Sequence, residues 1–123
     1  MPLEPGDAAS LWDMFTAAKG LVASLKDVGL KEYRANGELR LTVERRIEII
    51  GEAARRLSAS FKSAHQEIPW RRIIAQRNVL IHDYDEIDHE RIWRLAVEEI
   101  PRLLEQLGPL LPPLPQETKE YPD

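Results

Sequence analysis

Cysteine is absent from the 123 residues. That excludes disulfide staples, thiolate zinc sites and thiol catalysis. Glycine is scarce, at 6, and no spaced glycine loop of the kind that cradles phosphates occurs. No apolar run approaches the roughly 20 residues that a membrane-spanning helix needs, so no membrane partner is expected. The opening stretch Met1-Pro2-Leu3-Glu4-Pro5-Gly6-Asp7 has neither a basic flank nor an apolar core. It does not fit a signal peptide, and a cytoplasmic location is expected. An excess of positive charge is missing as well. The 17 basic and 21 acidic side chains leave a net charge of −4, which on its face argues against a nucleic-acid partner.

What is present changes that picture. Hydrophobic residues make up 43% and charged residues 31%, a mix that suits one packed domain. The charge is unevenly spread: residues 1–30 carry net −2, residues 31–77 net +5 and residues 78–123 net −7. The middle of the chain can therefore present a positive face. The alternative is that its arginines pair with glutamates on solvated helix faces. On charge alone the two readings stand level.

Apolar residues recur at helical spacing throughout, and no strand pattern competes. Asp7 is a candidate cap for a first helix to about Val28, with Leu11, Phe15, Ala18, Val22 and Leu25 as its stripe. Gly29 to Gly37 reads as a connector with a short helical turn. A second helix fits Glu38 to Ser60 through Val43, Ile47, Ile50, Ala54 and Leu57, with Glu52 and Arg56 four residues apart as a favourable pair. Gly51 in mid-helix costs roughly 1 kcal/mol against alanine, which close approach of another helix would explain. Pro69 suits the first turn of a third helix reaching His82. Asp85 or Asp88 can cap a fourth, from His89 to Leu107, which Pro101 should kink or split. The expected architecture is an all-α, up-and-down bundle of four to five helices, with leftover apolar surface favouring a dimer. The helical domain is expected over 1–108. Five of the last fifteen residues are proline (109, 112, 113, 115 and 122), so 109–123 reads as an extended or disordered tail.

Chemistry concentrates in Arg77-Asn78-Val79-Leu80-Ile81-His82-Asp83-Tyr84. Arg77 falls on the apolar stripe of Trp70, Ile73, Ile74 and Ile81, where a charge needs a partner or a cleft. Asn78 and His82 lie four apart on one side of the helix. Arg77 and His82 are five apart, about 140° on an ideal helix, so they are not neighbours on one straight helix but can line one groove if a second copy faces the first. Histidine, titrating near pH 6.5, can take a proton from a ribose 2′-hydroxyl or give one to a leaving oxygen. Arginine offers a planar fork to phosphate oxygens as charge builds. Asparagine can hold a phosphate or orient the imidazole. Spacing alone favours the plainer reading, an ordinary helix end with His82 on the helix dipole and Arg77 on a carboxylate.

Four blocks taken together shift that balance. Arg45-Arg46-Ile47-Glu48-Ile49-Ile50-Gly51-Glu52-Ala53-Ala54, Glu67-Ile68-Pro69-Trp70-Arg71-Arg72-Ile73-Ile74, Arg77 to Tyr84, and Ile87-Asp88 with Trp93 follow the pattern of HepT-like proteins of the HEPN superfamily. The resemblance covers most of residues 8–107. It implies a helical bundle whose homodimer brings two copies of the arginine–histidine motif to a shared cleft. It implies a metal-independent ribonuclease toxin acting on RNA, with Arg77 and His82 catalytic, Asn78 as the polar residue beside them, and neither cofactor nor metal. It also implies a cognate minimal nucleotidyltransferase antitoxin that transfers AMP onto Tyr84. A bulky phosphate there would block the cleft and repel RNA. The alternative is a non-catalytic helical binding partner of a nucleotidyltransferase; a third reading is an inert adaptor whose proline-rich tail is read by a partner domain.

The other candidates have plain readings. His65 is expected on the surface and His89 at an exposed helix start. A metal site from His82, His89 and nearby aspartates has no supporting spacing. Trp12, Trp70 and Trp93 are expected in the core or an interface rather than as base-stacking platforms. Arg45, Arg46, Arg55, Arg56, Arg71 and Arg72 suit RNA, a protein partner or plain solvation equally.

Overall fold

The computed structural model describes residues 3–82 and 87–113. Among them the chain is helical, without strands: α1 (Pro5–Ser24), α2 (Leu30–Ala35), α3 (Gly37–Arg56), α4 (Ala59–Ala64), α5 (Trp70–His82), α6 (His89–Arg94) and α7 (Ile100–Leu107). A π-helical stretch, Leu95–Glu99, joins the last two into one long helix. The four expected main helices are thus α1, α3, α5 and the composite α6–α7, and the Gly29–Gly37 connector contains α2; the second helix, expected to reach Ser60, stops at Arg56, because Leu57 is extended and Ser58 caps the separate α4.

The helix ends follow local chemistry. Asn36 caps α3 by accepting the Leu39 amide at 3.0 Å, Ser58 caps α4 by accepting from Phe61, and Asp88 caps α6 by accepting from Arg91. The expected cap at Asp7 is not used. Pro5 sits in the first turn of α1, where its fixed φ starts the helix earlier. Asp7 is instead buried and binds Ser58 across the fold, accepting from its amide at 2.8 Å and its hydroxyl at 2.6 Å. Pro101 does not break the fourth helix; the change it was expected to bring is a switch to wider π turns, through which the helix stays continuous. Proline has no N–H to give the carbonyl one turn back, and the π stretch immediately before it absorbs that mismatch.

α3 is the central helix, flanked by α1 and α5, while α7 returns onto α1. The core runs through Leu11, Met14, Leu21, Val43, Ile47, Ile50, Leu80, Ile100, Leu103 and Leu107, all buried. Trp70 is buried and Trp12 and Trp93 are partly so, and each spends its indole N–H on a carbonyl: Trp12 on Pro112, Trp70 on His65 and Trp93 on Val28, at 3.0–3.1 Å. The first residues of the expected tail belong to this packing. Gly108–Leu110 form a 3-10 turn, and Leu110 and Leu111 lie against the core. The remainder, 114–123, lies outside the described residues. No helix among the described residues is long and apolar enough to cross a membrane.

Candidate active site

α5 carries the motif across the outer side of α3. Its buried face is Trp70, Gln76 and Leu80, and Arg77 lies beside that face with 21% of its side chain exposed. Two consecutive residues of α3 receive it. Gly51 lies under the aliphatic stem: a β-carbon there would overlap Arg77 Cβ, 3.0 Å from Arg77 Cγ and 3.1 Å from the Ile73 carbonyl. The mid-helix glycine is therefore the point where α5 crosses α3, as the sequence suggested. Glu52 receives the charged end, with its Oε1 3.0 Å from Arg77 Nη2. On its other side Arg77 Nη1 donates to Asn78 Oδ1 at 2.9 Å. Arg77 Nε is buried and has no acceptor among the described residues.

Glu52 serves more than one arginine. Arg55 donates to both of its oxygens, at 3.3 and 3.1 Å, and Arg56 Nη1 lies 3.7 Å away. The hydrogen bond from Arg55 holds the carboxyl below its usual range, and the charges of Arg55, Arg77 and Arg56 add to that against some desolvation. Arg56 also reaches Asp13 of α1 at 3.2 Å. The Glu52–Arg56 pair read from the sequence thus exists, but the partner that matters for the motif is Arg77, a contact no helical spacing reveals. Arg45, Glu48, Ile49, Glu52, Arg56, Arg77 and Ile81 line an open depression of about 300 Å³.

His82 ends α5 and is exposed. It does not line the depression that contains Arg77. The chain therefore presents the guanidinium in a groove and the imidazole at the adjoining helix end. The exposed apolar side chains of Val79, 39%, and Ile81, 42%, alternate with these polar ones along the helix. Tyr84, with Asp83, Asp85 and Glu86, lies outside the described residues.

A second polar cluster was not foreseen. His89 was expected exposed; its side chain is 38% exposed, but Nδ1 is buried 3.7 Å from Glu44 Oε2. Glu44 and Tyr33 are buried. Burial pushes the Glu44 carboxyl above its usual range, with Arg40 pulling it back and Glu48 adding to the rise. Burial also raises the Tyr33 phenol and lowers the His89 imidazole, the latter helped by Arg40 and Arg34 and opposed by Asp88. Charge cannot signal this cluster in the sequence, because α2, α3 and α6 each contribute one member. His65 is half-buried against Phe61, ring centroids 4.5 Å apart. Among the described residues no group of three or more His, Cys, Asp or Glu is arranged to hold a metal.

Residues 14–110 match the family described as Ribonuclease HepT-like. A protein of Methanocaldococcus jannaschii named as a candidate RNase is 32% identical over 99 residues, covering 80% of this chain and 91% of its own. A second candidate RNase, from Caldanaerobacter subterraneus, is 32% identical over 74% of this chain and 81% of its own. A Thermococcus cleftensis protein named as a candidate ribonuclease HepT is 32% identical over 76% of this chain and 84% of its own. No solved structure matches the chain.

Proposed function

The chain belongs to the Ribonuclease HepT-like family, and from that premise we propose that it is an RNA-cleaving toxin whose working unit is a homodimer built across α5. The observation that carries this reading is the placement of Arg77, seated on Gly51 in an open depression, on the helix that ends in the exposed imidazole of His82. Within one protomer the groove does not include His82. A second copy packed on the apolar side chains of Val79 and Ile81 supplies the closing wall and the second imidazole.

In that cleft the chemistry is phosphodiester transfer. One His82 imidazole takes the proton of a ribose 2′-hydroxyl, whose oxygen attacks the adjacent phosphorus. The bond from phosphorus to the 5′-oxygen breaks, leaving a 2′,3′-cyclic phosphate. A protonated His82 on the other copy gives its proton to the leaving 5′-oxygen. Arg77 holds the non-bridging oxygens as charge builds on them, and Asn78 fixes the guanidinium from one side. The chain itself supplies every group this sequence of steps uses.

Neutralisation follows through Tyr84 and a minimal nucleotidyltransferase partner. The phenol oxygen gives up its proton and attacks the α-phosphorus of ATP, pyrophosphate leaves, and AMP remains on the residue two beyond His82 in sequence. Its bulk and negative charge oppose RNA.

Incubation of purified protein with RNA in the presence of EDTA tests the core of the reading. Cleavage that disappears in His82→Ala supports it. Equal cleavage by the variant takes His82 out of the chemistry, whereas no cleavage by the wild type alongside tight co-purification with a nucleotidyltransferase favours the non-catalytic binding partner. Co-expression with such an enzyme tests the second half: the protein should gain mass in AMP units, and Tyr84→Phe should not.

A further inference from the structure

Arg77 is held at three points, and two of them come from neighbouring residues of a different helix. Gly51 leaves room for its Cβ and Cγ against the α3 backbone, and Asn78 takes Nη1. The remaining end, Nη2, is tied to Glu52 Oε1 at 3.0 Å, with both side chains partly shielded, 21% and 30% exposed. Two fully exposed side chains in such a pair would contribute little. Here the stem is already packed and Nε is shielded from solvent. The one freedom left, the rotation of the guanidinium about its stem, is set by Asn78 on the same helix and by the carboxylate, the contact that ties the charged end to α3. Arg55 in turn fixes the carboxylate by donating to both of its oxygens.

Building on the ribonuclease reading, we propose that Glu52 is a positioning residue: it orients the Arg77 guanidinium toward the scissile phosphate without touching the substrate. The arrangement has a specific logic. A carboxylate facing a phosphate-binding groove repels RNA, so it raises KM. It is tolerable where it gains more in the transition state than it loses in binding. Sharing one carboxylate among Arg55, Arg56 and Arg77 keeps the local balance positive while still fixing one fork.

Two substitutions separate orientation from charge. Glu52→Ala removes both the charge and the acceptor oxygen, whereas Glu52→Gln removes the charge and keeps an oxygen for Nη2. Orientation predicts that kcat falls about 10- to 100-fold in Glu52→Ala and stays within about 3-fold of wild type in Glu52→Gln. KM for RNA should be unchanged or lower in both, since each loses a negative charge. Equal kcat in the two variants, or a loss confined to KM, overturns the assignment. A purely structural role would lower Tm and the active fraction and leave the kcat of folded protein unchanged. Should Glu52→Ala not fold, Glu52→Asp, with its carboxylate drawn back by one methylene, takes its place and must lose kcat.

A readout without RNA keeps the two claims apart. In nitrogen-15 spectra the Arg77 guanidinium should give slowly exchanging, dispersed signals in the wild type that collapse toward those of the exposed Arg71 in Glu52→Ala. Wild-type signals already like those of Arg71 overturn the positioning claim whatever the RNA assay shows. Absence of any His82-dependent cleavage overturns the ribonuclease reading and leaves the spectra to decide the role of Glu52.

Discussion

Gly51 and Arg77 share a contact in which there is no room for one more carbon: the missing side chain of the glycine is the space that the arginine stem fills. The crossing of α3 and α5 and the position of the motif arginine are thus one structural fact. Substituting Gly51→Ala should gain about 1 kcal/mol in helix propensity yet destabilise the protein. The atoms opposing the new methyl are a Cβ, a Cγ and a backbone carbonyl rather than the end of a flexible chain. Such overpacking costs about 1–3 kcal/mol, so thermal melts should show Tm lower by several degrees, with a loss of RNA cleavage larger than the loss of folded protein.

His82→Ala should separate catalysis from stability. The side chain is exposed at the end of α5, so Tm should stay within the scatter of an ordinary surface substitution, about ±0.5 kcal/mol. Cleavage should fall about 10²- to 10⁴-fold, the usual contribution of a general acid or base. A parallel fall in Tm would assign His82 to the fold instead.

The depression beside Arg77 should feel ionic strength. Arg45, whose side chain is 71% exposed, reaches Glu48 at a slack 3.4 Å and is free to meet a phosphate. Arg45→Ala should weaken RNA binding at low salt and reduce the slope of log K against log salt by about 0.7, one phosphate contact on a single strand. An unchanged slope would take this rim out of the RNA path.

The Glu44 cluster predicts a pH-dependent gain in stability. The folded carboxyl titrates above its ordinary 4.5, so the folded state binds more protons than the unfolded one in the interval between, and stability falls as pH rises through it. Glu44→Gln removes that loss. Its Tm should exceed that of the protein retaining Glu44 by a few degrees at pH 8, and the gap should close toward pH 4. The lowered His89 acts in the opposite sense, costing stability as pH falls below 6.5. Because His89 lies 3.7 Å from Glu44, the comparison is made in a His89→Gln background, where the difference is that of Glu44. A gap that widens on acidification would contradict burial as the cause.

Helix content, the cap at Asp88, the proline-marked change in the fourth helix and the presence of Arg77 and His82 on one helix were all legible in the chain, whereas the caps at Asn36 and Ser58 do not stand out in it, Ser58 falling inside the expected second helix. Each legible feature depends on residues within about one turn of another, and a local period reports them directly. Asp7 shows the limit of such reading: as a local pattern it is a helix cap, but Ser58, distant in sequence, claims its carboxylate. Which acid receives Arg77, which carbonyl receives each tryptophan, and how Tyr33, Glu44 and His89 come to be buried together depend on how the helices cross. That is set by the shape of whole packed faces, and tertiary structure alone decided it.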